Sequence, residues 1–371
     1  MQYINIKYDG AEAVVALFEN GRKEAHAYIT PTSGSGNASS QIMAIDTAVK
    51  MLADETGLKP VFKRYLLSDP SNQTQYLPQE EPCACSVLGQ SPLNGTKASL
   101  LVLLEEEADF RPYEGGLWED SKGRIWVGDS TDIATGDSLT MTVAYLERLS
   151  LMLAQRGASL KDNCLRTWFF VRDIDNNYKG VVQGRNSVFA REGLTSDTHF
   201  IASTGIEGQA AEPSRLVAFN AFADTRIKAP QIKYLYGKTH LNPTYEYGVA
   251  FERATAVDYA DRRHVYVSGT ASIDNKGQIV APGDIKAQTD RMLENIGVLL
   301  AEGDCGWEDV AHMTVYIRDI ADHALISRIM RERFPDIPKS IVLAPVCRPG
   351  WLIETECMAV KKADNRDYEP Y

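Results

Sequence analysis

A chain of 371 residues with 44% hydrophobic and 24% charged side chains has ordinary globular composition and room for two or three domains. Its net charge of −11 and pI near 5.2 argue against a nucleic-acid scaffold or an anionic membrane surface, both of which would repel it. The first residues, MQYINIKYDG, lack the basic and apolar blocks of a signal peptide, and no uncharged apolar run reaches a membrane span, so a cytoplasmic protein is expected.

In chain order, Ala11–Phe18 and Glu24–Thr30 read as a hairpin turned by Glu19-Asn-Gly-Arg. The Gly/Ser stretch Ser33–Ser40 has no GK[ST] and reads as a loop with a helix cap rather than a phosphate cradle. Gln41–Glu55 is an amphipathic helix ended by Gly57, and Val61–Leu67 and Ala98–Leu104 are strands. The order then repeats. Arg124–Gly128 is a strand, Leu139–Gln155 a helix stopped by Gly157, and Leu165–Val171 a strand. Asn186–Arg191 belongs to a second helix, and Arg215–Phe222 closes the unit. In the third pass Arg253–Asp258 and His264–Ser268 are strands, Ile285–Ala301 a helix, Met313–Ile317 a strand and His323–Phe334 a helix. Ser340–Leu343 and Trp351–Val360 follow as strands around a Cys-Arg-Pro-Gly turn.

Units two and three share a helix, a glycine and a strand ending in Arg172-Asp-Ile or Arg318-Asp-Ile; unit one has the looser Ser68-Asp. Each unit is therefore an α+β mixed sheet with helices on one face, leaving a bare face that the other two units can cover. The expectation is three tandem units, 1–112, 113–227 and 228–371, packed as an intrachain pseudo-trimer, with linkers at Pro112–Gly116 and Thr225–Pro243. With the trimer inside one chain, a monomer or weak dimer is expected.

Six cysteines form no CxxC pair and six histidines no HxxxH or HExxH, so reduced thiols and no metal site or cofactor are expected. The last strand carries Glu354 and Glu356 on one face of an apolar run. Two readings compete: a solvated or salt-bridged sheet face, or a cleft holding one acid for chemistry. The matching strands of units one and two, Ser99-Leu-Leu-Val and Leu216-Val-Ala-Phe-Asn, lack a glutamate, so one working cleft is expected, between units two and three.

The third unit resembles the Rid (YjgF) superfamily through Val267-Ser-Gly-Thr270, the helix-Gly-strand unit and the closing Pro338…Leu352-Ile-Glu-Thr-Glu. That resemblance implies trimers with a small-molecule site in each intersubunit cleft, and often enamine or imine hydrolysis. It places Lys339 where an arginine usually grips the substrate carboxylate, and Phe251 where a tyrosine is usual. From about Asp162 to Val360 the chain also resembles chorismatases, fused Rid-type chains. The matching pieces are Leu165-Arg-Thr-Trp-Phe-Phe, Gly184-Arg-Asn-Ser-Val-Phe, Tyr247-Gly-Val-Ala-Phe-Glu-Arg-Ala, Val267-Ser-Gly-Thr-Ala-Ser-Ile and Cys347-Arg-Pro-Gly-Trp-Leu-Ile-Glu. A Pro-Arg insertion usual after that Tyr-Gly is missing.

The resemblance implies Glu354 as general acid on a small carboxylated enol ether, chorismate or a relative. Arg185, Arg253, Tyr247, Thr270, Lys339 and Cys347 would bind the metabolite. Arg166, beginning a strand beside Trp168, is a further candidate cation; for any one arginine a surface or interunit ion pair competes with substrate binding, and Tyr247 reads equally as core. Cys347 has no local histidine base and reads as a pocket-lining or buried thiol. Trp168, Trp307 and Trp351 read as packing residues. The other function classes are a Rid-type enamine or imine hydrolase and a non-catalytic metabolite-binding protein.

Overall fold

The computed structural model describes residues 1–34, 36–130 and 132–371; Ser35, in the expected Gly/Ser loop, lies outside them. Three mixed sheets follow the three repeats. The first runs, edge to edge, Gln2–Tyr8, Ala11–Asn20, Arg22–Pro31, Ala98–Glu105, Lys59–Leu67 and Ala84–Gly89. The second runs Ala202–Glu207, Cys164–Val171, Val217–Asp224, Arg124–Val127, Leu117–Glu119 and Arg111–Pro112. The third runs Ile232–Leu235, Ala254–Asp258, Arg262–Ala271, Ile353–Lys362, Val310–Ile317 and Lys339–Leu343. In each sheet one pair is parallel and the closing strand is antiparallel to its neighbours.

Helices cover one face of each sheet: Ala38–Thr56 on the first, Ser138–Ala154 with Ile174–Arg191 on the second, and Ile285–Glu302 with His323–Arg333 on the third. Their caps are legible in the sequence. Asn37, Asp137 and Asp284 each accept a backbone N–H three residues on, and Gly57 takes the left-handed conformation that ends the first helix.

The opposite faces bury one another. A single hydrophobic core draws on all three units, with Phe62 and Leu101 from the first, Trp126 and Phe170 from the second, and Tyr266 and Met313 from the third. The repeat extends to single bonds. The N–H groups of Ser68, Arg172 and Arg318 reach the carbonyls of Lys97, Leu216 and Leu352 at 2.9, 2.9 and 3.0 Å. Cross-unit pairings also rotate around the axis. Ser91–Pro92 of unit one extends the third sheet, Gln209–Ala210 of unit two extends the first, and Val346 of unit three bridges Ile206 of the second. The α+β pseudo-trimer is thus built from three copies of one plan.

Several segments differ from the sequence reading, which assigned no strand at Gln2–Tyr8, Ala84–Gly89, Leu117–Glu119 or Ala202–Glu207. The expected linker Thr225–Pro243 contains the strand Ile232–Leu235, which pairs with Ala254–Asp258. Arg111–Pro112, beside the other expected linker, is an edge strand of the second sheet, a position where proline costs no ladder bond. No described helix is long and apolar enough to cross a membrane.

Candidate functional site

Strand Ile353–Lys362 lies between Arg262–Ala271 and Val310–Ile317, which places Glu354 opposite Ala271 on one side and Tyr316 on the other. Its carboxyl points away from the covering helices toward unit two. Strand Ala202–Glu207 approaches there, fixed by bridges from Ala202 to Glu252 and from Ile206 to Val346. The space left between the units is a narrow cleft of about 490 Å³, its solvent-open mouth included. Unit two contributes Tyr178, Arg185, Ser203 and Gly205; the third unit contributes Glu354, Cys347 and their neighbours. Two glycines make the room. A Cβ on Gly269 would stand 2.2 Å from Glu354 Oε1, and one on Gly205 2.9 Å from the Tyr178 ring.

Arg185 is held by helix packing. Helix Ile174–Arg191 lies against Ser138–Ala154 through Gly180 and Gly184, whose missing Cβ atoms would meet Ser138 Oγ and Leu139 O at 2.2 and 2.9 Å. The next side chain, Arg185, is only 1% exposed, and its Nε and Nη2 have no hydrogen-bond partner among the described residues. A buried guanidinium lacking an acceptor is costly in a resting fold. Arg253 is buried too and gives its Nε and Nη2 to the Asn242 carbonyl at 3.2 and 3.0 Å. Arg348 reaches the Tyr247 carbonyl at 3.5 Å. No carboxylate lies within ion-pair distance of these three cations among the described residues.

Aromatic rings separate the cations. Phe251 lies 5.6 Å from both Arg185 and Arg253; Tyr247 lies 5.3 Å from Arg253 and 4.8 Å from Arg348; Trp351 lies 5.1 Å from Arg348. Such stacking fixes guanidinium planes without using their N–H donors.

Burial, and then the neighbouring charge of Glu356, push Glu354 up to about 8 against the opposing pull of Arg253 and Arg166. Glu354 is therefore mostly protonated at neutral pH, and no hydrogen bond or ion pair reaches its carboxyl from the described residues. Burial, reinforced by Glu354, raises the Cys347 thiol to about 12, so it is a neutral wall group and not a thiolate nucleophile. Glu356, two residues along, is engaged elsewhere. It accepts Arg166 Nη2 at 2.8 Å, Thr204 Oγ1 at 2.5 Å and Trp168 Nε1 at 3.0 Å. Arg166, a candidate cation by sequence, is thereby removed from the cleft.

The structure thus brings Glu354, Arg185, Arg253, Tyr247 and Cys347 into one cleft. Thr270 stands beside it, not on its wall: its hydroxyl donates to Ser268 O at 2.9 Å while Gly269 and Ala271 face the opening. Lys339 is a correction. Its ammonium donates to the Phe334 and Ile337 carbonyls, and its strand faces unit one, where Ser340 meets Ser99. By register Lys339, paired with Met313, corresponds to Ser203, paired with Thr167, and it is Ser203 that lines the Glu354 cleft. The unit that carries the acid cannot supply its own post-proline cation to that acid, because the cleft is built with the other neighbour.

Sequence reasoning missed Tyr178, Ser203, Gly205 and Arg348, and it read Trp351 as packing, although its ring forms part of the wall. Only Arg348 had a signal, inside the Cys-Arg-Pro-Gly turn. Register also isolates the acid: Tyr316↔Glu354 corresponds to Phe170↔Ala218 and Leu66↔Ser99.

A family model described as Endoribonuclease L-PSP matches residues 251–361. A RutC family protein of Pyrococcus abyssi is 35% identical over 100 residues, 26% of this chain and 79% of that protein. The 3-aminoacrylate deaminase RutC of Acinetobacter baylyi is 33% identical over 97 residues, 26% of this chain and 77% of that protein. A crystal structure of a chorismatase superposes with a TM-score of 0.66 at 17% identity, covering 81% of this chain and 92% of that one, a likeness of fold.

Proposed function

The chain belongs to the RutC (endoribonuclease L-PSP, Rid/YjgF) family, and on that premise we propose that it cleaves a small enol ether bearing carboxylates, chorismate or a close relative, with Glu354 as general acid. One observation carries the reading: a buried carboxyl, protonated at neutral pH, shares a cleft with three guanidiniums that have no carboxylate partner. Arg185, Arg253 and Arg348 hold the substrate carboxylates. Glu354 gives its proton to the terminal methylene carbon of the enolpyruvyl group. The adjacent carbon becomes an oxocarbenium centre, and water adds to it while the Glu354 carboxylate takes back a proton. The hemiketal then collapses to pyruvate and the ring alcohol, so one water is consumed and no electrons are transferred. A general acid of this kind contributes roughly 10²–10⁴ in rate.

Purified protein incubated with chorismate should release pyruvate, and Glu354→Gln should not. A second reading, enamine hydrolysis, draws on the similarity to the Acinetobacter deaminase. Supplied with 3-aminoacrylate or an amino-acid oxidase product, an enzyme of that kind would speed ammonia release and leave chorismate intact. Tight binding of a metabolite without either product, indifferent to Glu354→Gln, would overturn both.

A further inference from the structure

A second chamber lies where the three units meet on the pseudo-three-fold axis, separate from the Glu354 cleft. Unit one contributes Phe62 and Arg64, unit two Trp126 and Trp168, and unit three Tyr266 and Glu356, all of them buried. On its wall two guanidiniums face one carboxylate, with Asp129 a further carboxylate off the wall that attracts Arg64. Arg166 and Arg64 converge on the one carboxylate of Glu356, at 2.8 and 3.6 Å. That carboxylate is already occupied by Arg166, Thr204 and Trp168. Arg64 has one further protein acceptor, Asn220 Oδ1 at 3.2 Å. The next acid, Asp129, is engaged by the Val87 N–H at 2.7 Å and the Ser86 hydroxyl at 3.1 Å. The imidazoles there add no negative charge: His312 and His26 share a contact of 2.7 Å and are held neutral by burial.

Two donors remain. Arg64 Nε and Trp126 Nε1 are both buried without a hydrogen-bond partner, and both side chains line this chamber. The guanidinium is further enclosed by rings, with Trp168, Phe170 and Phe62 at 4.7, 5.0 and 5.2 Å. A cation placed there would meet two guanidiniums. A phosphate or sulfate would need more donors than the two free N–H groups supply. A compact monovalent anion suits a wall with two guanidiniums and answers both donors at once.

We propose that the axial chamber binds one halide-type anion through Arg64 and Trp126, joining the three units at their common axis. The proposal does not depend on what the Glu354 cleft catalyses. The test uses the full chain. Crystals soaked in bromide should show an anomalous peak within hydrogen-bond distance of Arg64 Nε and Trp126 Nε1. The melting temperature should be a few degrees higher in chloride than in gluconate of equal ionic strength, because a ligand bound only by the native state stabilises it. Trp126→Phe should remove that difference. If the variant fails to fold, the wild-type bromide map still decides. Equal melting in both salts with no bromide signal in the chamber would mean that water fills it, and the proposal would fall.

Discussion

Glu354 and Glu356 stand two residues apart on one face of one strand, yet they open into different chambers. Glu356 is tied to Arg166, Thr204 and Trp168, whereas no described residue bonds the Glu354 carboxyl. Thr204 separates them, since its hydroxyl also takes the Gly269 N–H at 2.9 Å, and Gly269 is the residue against which Glu354 lies. The unpaired acid is suited to proton donation and the paired one to holding units together.

Activity should fall as pH rises through about 8, where Glu354 ionises, and hold below it. A kcat profile measured by pyruvate release checks this; a rate still level at pH 10 would remove Glu354 as the donor. Stability carries the same sign. The folded pKa is above the unfolded value near 4.3, so the contribution of this group is complete below that value and is lost as pH climbs through 8. Glu354→Gln should therefore melt higher than the parent at pH 9 by up to a few kcal/mol, while losing about 10²-fold or more in rate.

Glu356→Gln should behave oppositely. It leaves Arg166 and Arg64 buried with no carboxylate between them, a change that costs about 3–5 kcal/mol when one partner of a buried pair is removed. Chemical denaturation of the two glutamine variants side by side separates the roles.

Arg185→Met should raise KM more than it lowers kcat, and should leave stability unchanged or improved. Its Nε and Nη2 satisfy no acceptor in the fold, so removing them forfeits no protein bond. A large loss of stability would show that Arg185 is structural instead.

Gly269→Ala adds a methyl 2.2 Å from Glu354 Oε1, which must swing away. A loss of about tenfold or more in kcat is expected for a displaced acid, with the far-ultraviolet circular dichroism unchanged.

Acid should open the junction of units one and three. His26 Nδ1 and His312 Nδ1 lie 2.7 Å apart, so at most one carries the shared proton. Burial lowers His26 to about 4 and holds His312 well below the ordinary imidazole value. With folded values below the unfolded one near 6.5, the stability from these groups is complete above 6.5 and is lost as pH falls toward 4. Melting temperatures taken from pH 7 to 4.5 should drop steeply, and less steeply in His312→Gln.

Much of the fold was legible because it rests on local periodicity. Helical spacing at Ile42, Ile45, Val49 and Leu52, and the Arg-Asp-Ile strand ends, are patterns that burial and hydrogen bonding must respect in any fold of this chain. The strand Ile232–Leu235 was missed because an edge strand of four residues needs little alternation and borrows its order from Ala254–Asp258.

The sequence by itself determined three repeats, a single repeat with glutamate at the position of Glu354, and most of the residue types that gather in the candidate cleft. Only the tertiary structure decided which acid was free, since Glu354 and Glu356 have the same face and the same apolar flanks, and partners from units one and two tell them apart. It likewise decided that Lys339 bonds carbonyls of its own unit while Ser203 lines the Glu354 cleft, because side chains on equivalent strands meet different neighbours once three unlike copies close around an axis.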